Sequence, residues 1–153
     1  MFKKEKPLDF GIDDFKKILI KGQNLTLRVK GNSMWPFLKD NQIISVARTD
    51  FDNIKRGDIL LCYCQERIFC HRLFLKKASS FITKGDAMFG FDPEFDKDQL
   101  LGKVVKKESK GIEFSLDTAA SRSLGIFIGW STLLVSPLFP VCRFFRRQLL
   151  KLL

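Results

Sequence analysis

The 153 residues include one histidine, one tyrosine and two tryptophans. Any imidazole base is therefore His71. Met1–Gln23 lacks the apolar stretch of a signal peptide, so ordinary secretion is not expected. Cys-x₂-Cys spacing is absent, which counts against a zinc site, and without a secretory signal the four cysteines read as free thiols in a reducing compartment. Acidic residues are in the minority, 17 against 27 Lys and Arg, for a net charge of +10. No internal repeat or low-complexity stretch is present. Hydrophobic residues at 45% and charged residues at 29% exclude wholesale disorder and a multi-span membrane protein. The length suits one domain with an appended segment.

Leu8–Lys21 reads as a short helix, with Asp9 as N-cap and Phe15, Ile18 and Leu19 on one face. Leu25, Leu27 and Val29 alternate with Thr26, Arg28 and Lys30, the pattern of a half-buried strand. Pro36 biases Trp35 away from the helical region and predicts an extended segment there. Strands are expected over Ile43–Arg48 and Asp58–Cys64, with a hairpin at Gln65–Arg67 leading into Ile68–Leu75. Further strands are expected at Ser80–Lys84, Leu100–Lys107 and Ile112–Leu116. Gly85–Asp98 reads as a polar loop.

Composition changes after Asp117. Leu124–Cys142 carries no charge, and Arg143, Arg146, Arg147 and Lys151 follow. The uncharged run is about long enough for a ~30 Å bilayer core, but two glycines and two prolines interrupt it. One reading is a helix packed on the domain. The preferred reading is an interfacial or re-entrant segment on anionic lipid. Basic residues flank the run on both sides, which fits a monotopic segment with the β domain on the cytoplasmic face. The boundaries are then 1–23 for the helix, 24–117 for the β domain and 118–153 for the membrane-associating segment.

Ser33 lies in Gly31-Asn32-Ser33-Met34-Trp35-Pro36, and His71 in Cys70-His71-Arg72-Leu73. Each alone is more often structural than catalytic. Thr83-Lys84-Gly85-Asp86-Ala87 and Leu101-Gly102-Lys103-Val104-Val105 follow in order, and Gly57-Asp58 precedes a strand. Cys62, Cys64, Cys70 and His71 are four potential metal ligands, but buried strand thiols are the preferred reading. No metal and no cofactor is expected.

The order and spacing of these boxes over about residues 25–107 resemble the type I signal peptidase superfamily, which also contains self-cleaving repressor proteases. The resemblance implies a mainly β, signal-peptidase-like fold with a short N-terminal helix and a C-terminal apolar helical segment. It implies Ser33 as nucleophile. His at position 71, where bacterial leader peptidases place Lys, resembles the endoplasmic-reticulum and archaeal subclass. An imidazole near its unperturbed pKa of ~6.5 can take a hydroxyl proton near neutral pH, and a carboxylate should hold its tautomer. Asp92 is favoured for that role and Asp86 for a supporting one, although each also reads as a turn residue. The backbone of Ser33 and the side chain of Asn32 are the expected oxyanion donors. Gly31 stands where many signal peptidases carry a helpful hydroxyl, so slow turnover is expected. Met34, Trp35 and Pro36, beside Phe37 and Leu38, are expected to bind substrate, dip into lipid or pack in the core.

The implied activity is a membrane-associated serine endopeptidase acting on an extended leader or signal peptide of a peptide precursor or pre-protein. One rival is a cytoplasmic self-cleaving regulator, but the residues before Ser33 leave no room for a helix-turn-helix module. Another is a weak or inactive scaffold on the same fold. Nucleic-acid binding is not expected, because the aromatics are mostly Phe in apolar runs and not interleaved with Lys and Arg.

Overall fold

Alternating strand patterns on a 153-residue chain need a sheet that buries both inward faces. The computed structural model provides one, and it describes residues 12–65 and 67–135, with side chains placed as far as residue 131. Helix α1 (Ile12–Ile20) is followed by β1 (Leu25–Arg28), β2 (Ile43–Ala47), β3 (Ile59–Cys64), β4 (Arg67–Lys76), β5 (Ser80–Lys84), β6 (Glu94–Asp96), β7 (Leu100–Ser109) and β8 (Ile112–Ser115), and then by α2 (Ala119–Val135). The sheet order is β1-β2-β7-β3-β4-β5-β6, with β8 on β7. All pairings are antiparallel.

The core lies on both faces of β3. Ile59 and Leu61 join Ile44, Val46, Val104, Met34 and Leu38 in one cluster, which α1 covers with Phe15, Ile18 and Leu19. Leu60 and Cys62 join Leu73, Phe81 and Phe95 in the other. That double burial explains why Ile59–Cys64 is an uninterrupted apolar run, unlike the alternating edge strand β1.

Two expectations change. Gly85–Asp98 is not wholly a loop: Glu94–Asp96 forms β6 on β5, followed by a 3₁₀ turn at Lys97–Gln99. A three-residue strand with one apolar residue, Phe95, carries too little alternation to stand out. The segment around Pro36 is a compact turn. The Trp35 N–H donates to Asn32 O at 3.1 Å and the Leu38 N–H to Met34 O at 2.8 Å, and the Trp35–Pro36 bond is cis. Burial of Met34, Phe37 and Leu38 draws this segment inward, which the restriction on Trp35 alone does not foretell. The expected N-cap Asp9 lies outside the described residues.

The first part of the appended segment is α2, and it lies on the β domain. Ile128 packs against the larger core cluster, and the rings of Trp130 and Phe74 are 5.7 Å apart. Leu124 and Phe127 stay exposed. Among the described residues no helix is long and apolar enough to cross a membrane. Residues 136–153, including the Arg143–Lys151 cluster, lie outside the described residues.

Phe81 is fully buried between the rings of Phe51 and Phe95. Phe81→Ala should cost about 3–5 kcal/mol and Ile44→Val about 0.5–1.5 kcal/mol. Urea unfolding checks both, and equal losses would contradict this core.

Candidate active site

Ser33 sits half-buried at the tip of the turn between β1 and β2. Asp40 braces that turn by accepting from the Gly31 N–H at 2.7 Å. Among the described residues the Ser33 amide donates no hydrogen bond. Asn32 is exposed, and its carbonyl is used by the Trp35 amide. Met34 is a core residue at 2% exposure, whereas Trp35 is 55% exposed. Pro36 is also exposed.

His71 lies on β4, opposite Leu60 of β3. Its Nδ1 is 2.6 Å from Asp92 Oδ2. An ionised carboxylate only accepts, so in the neutral ring this contact puts the proton on Nδ1 and leaves the Nε2 lone pair open. The Thr83 hydroxyl donates to the same Asp92 oxygen at 2.6 Å, and the Asp92 amide donates to Thr83 O. Thus β5 holds the carboxylate that holds the imidazole.

Gly85 joins the two halves. A Cβ on it would lie 2.7 Å from Ser33 O and 3.1 Å from His71 Nε2. Only a residue without a side chain lets the Ser33 turn and the open imidazole nitrogen converge there. The Ala87 N–H donates to Ser33 O at 2.8 Å and fixes that approach.

The two candidate carboxylates are separated by their partners. Asp92 is on His71. Asp86 is on Arg72, whose Nε and terminal nitrogen donate to its two oxygens at 2.8 and 2.6 Å. A third guanidinium bond reaches Gly57 O at 2.7 Å, and the Phe37 ring lies 4.4 Å from the guanidinium carbon. Both partners are buried. Burial lowers the Lys84 pKa, opposed by Asp86 and Asp92, and its ammonium donates to Gly85 O.

A cavity of about 240 Å³ opens beside Ser33, lined by Leu27, Val29, Met34, Ile68 and Phe69 among others. A second, of about 220 Å³, lies against His71 and Asp92 and shares Phe69. Sequence reasoning missed Arg72, Thr83 and Gly85 as parts of the site. The ordered boxes held the signal, since Arg72 adjoins His71, and Thr83 and Gly85 share a box with Asp86. Cys62 and Cys64 face the smaller core cluster and Cys70 the larger. Among the described residues no three His, Cys, Asp or Glu side chains gather to hold a metal. Burial pushes the Cys70 thiol up to about 12.

Arg72→Met would leave Asp86 buried and unpaired, at a cost of about 3–5 kcal/mol. Arg72→Met with Asp86→Leu should recover much of the loss. Urea midpoints of the two variants test this, and a double variant no more stable than the single would contradict it.

The model of the family described as Peptidase S24-like matches residues 5–105. No match was found among curated proteins. The matched region holds Ser33, His71, Asp86 and Asp92 but ends before β8 and α2. The match places the sequence in the broad superfamily of signal peptidases and self-cleaving repressor proteases. The chain belongs to the Peptidase S24-like family.

Proposed function

We propose that this chain is a serine endopeptidase that cleaves an extended leader or signal segment, with Ser33 as nucleophile, His71 as general base and Asp92 as the group that orients the imidazole. The observation that carries this reading is the 2.6 Å His71–Asp92 contact, with His71 Nε2 and the Ser33 carbonyl oxygen both packed against Gly85. A Ser hydroxyl is a weak nucleophile until a base takes its proton. Ser33 Oγ bonds to the scissile carbonyl carbon while its proton passes to His71 Nε2. The imidazolium returns that proton to the departing amine as the C–N bond breaks. Water then gives its proton to Nε2, and its oxygen displaces Ser33 Oγ from the acyl carbon. The proton returns to Oγ, freeing the acid product and the enzyme. The Ser33 N–H, with Asn32 beside it, faces the developing oxyanion. With Gly31 offering no hydroxyl, turnover is slow.

Substrate lies along β1, the terminal strand of the sheet order. Added strands bind by main-chain hydrogen bonds, with pockets for alternate side chains. Leu27 and Val29 of this edge line the cavity beside Ser33, which takes the acyl-side residue, and the chain continues past Phe69 toward His71.

The endopeptidase works on a membrane surface with its site on the cytoplasmic face. Exposed Leu124, Phe127 and Trp130 on α2, with exposed Phe91 4.5 Å from Phe74, support an interfacial role. The following basic cluster supplies attraction to anionic lipid, ~1 kcal/mol per residue near the surface.

Ser33→Ala should abolish cleavage of a cognate leader with no large change in stability, and His71→Ala should match it, the double variant being no worse. Wild-type activity should fall as acid protonates the imidazole. Intact-mass spectra during the assay separate cleavage of added leader from cleavage of the chain itself. Full activity in Ser33→Ala removes the peptidase reading.

Changing Arg143, Arg146, Arg147 and Lys151 to Gln should weaken co-sedimentation with anionic vesicles, most at low salt. Unchanged binding would count against the lipid role.

A further inference from the structure

Helix α2 lies outside the family match, yet it touches the residues that organise the site. A Cβ at Gly125 would fall 2.1 Å from the Arg72 guanidinium carbon. The end of a long side chain normally yields to such an intrusion. Here it is held by two bonds to Asp86 and one to Gly57 O, so yielding would break them. A Cβ at Gly57 in turn would meet Arg122 of α2 at 2.9 Å. Arg122 anchors the start of the helix, with its terminal nitrogen 3.0 Å from Asp117 and 3.5 Å from buried Asp58. Asp58 Oδ1 has no hydrogen-bond partner among the described residues and faces Arg122 as its counter-charge, while Oδ2 accepts from the Lys55 N–H at 2.8 Å with Lys103 3.9 Å away.

We propose that Gly125 of α2 is a positioning residue for catalysis, acting through Arg72 and Asp86 on the meeting of Ser33 with His71. The inference rests on the peptidase reading for its kinetic consequence. Arg72 follows His71 on β4. Asp86 follows Gly85, whose Cα faces both Ser33 O and His71 Nε2. The Arg72–Asp86 pair therefore fixes the 85–87 turn, and Ala87 fixes Ser33 O. With α2 seated, the guanidinium is closed off at 4% exposure. With α2 displaced, it is open to water and the turn loses its clamp. The Ser33–His71 geometry thus depends on a helix that precedes the basic, apolar tail in the sequence.

The lone histidine makes the test direct, because every imidazole resonance in the NMR spectrum belongs to His71. The variants are Gly125→Ala and, as control, Gly129→Ala one turn later, where an added Cβ meets nothing within 4 Å among the described residues. Both gain the same helix propensity. Gly125→Ala should displace the His71 ring resonances, change their pH titration and lower kcat at least tenfold with KM within about twofold. Gly129→Ala should leave the spectrum and kcat as in wild type. A wild-type His71 titration in Gly125→Ala, or equal shifts in both variants, overturns the proposal. If Gly125→Ala fails to fold by circular dichroism, Arg122→Gln, which loosens the same helix, is judged on the same His71 spectrum. If the wild type cleaves no leader, the peptidase reading fails, while the His71 spectra still decide whether α2 reaches the imidazole.

Discussion

The guanidinium of Arg72 ties together parts of the chain that share no sequence neighbourhood. It is bonded to Asp86 and Gly57, faces the Phe37 ring and lies under Gly125. Removing either charge strands the other in the interior, so the pair is held as a unit. Arg fits here better than Lys, because its planar fork meets both oxygens of Asp86 and still has a donor for Gly57 O. Through Asp86 the pair sets the 85–87 turn. Through its place on β4 it shares a strand with His71.

The His71–Asp92 pair is independent of that clamp in its bonding but not in its placement. Asp92 takes its position from β5, through Thr83, and Asp86 takes its own from Arg72. Two carboxylates six residues apart therefore serve different partners, an imidazole and a guanidinium. β4 and β5 pair with a bulge between Leu73 and Leu75. Bulges re-aim side chains beside functional sites, and this one follows directly on the His71-Arg72 pair. Phe74, at the bulge, turns to Phe91 and Trp130, and so connects the loop before Asp92 with α2.

Much of this was legible in the sequence. Apolar alternation in Leu25–Val29 and the run at Ile59–Cys64 gave strands at β1 and β3 within a residue or two. Ser33 and His71 were legible through the order of their boxes. The resemblance favoured Asp92 over Asp86 for the imidazole, but local patterning did not separate them, because each reads as an ordinary turn residue and only the fold shows which side chain each meets. β6 was illegible because Phe95 is its only apolar residue. The turn at Met34–Leu38 depended on burial that no local preference encodes. The contact of α2 with Arg72 left no trace at all, since the residue that permits it, Gly125, has no side chain to pattern.

The proposed chemistry requires the Ser33 hydroxyl to be activated by His71. Labelling with a fluorophosphonate, followed by peptide mass mapping, tests that without knowledge of the substrate. The prediction is a single adduct on Ser33, formed faster as the imidazole loses its proton and absent in His71→Ala. An unlabelled Ser33, or an adduct forming at the same rate without His71, would contradict it.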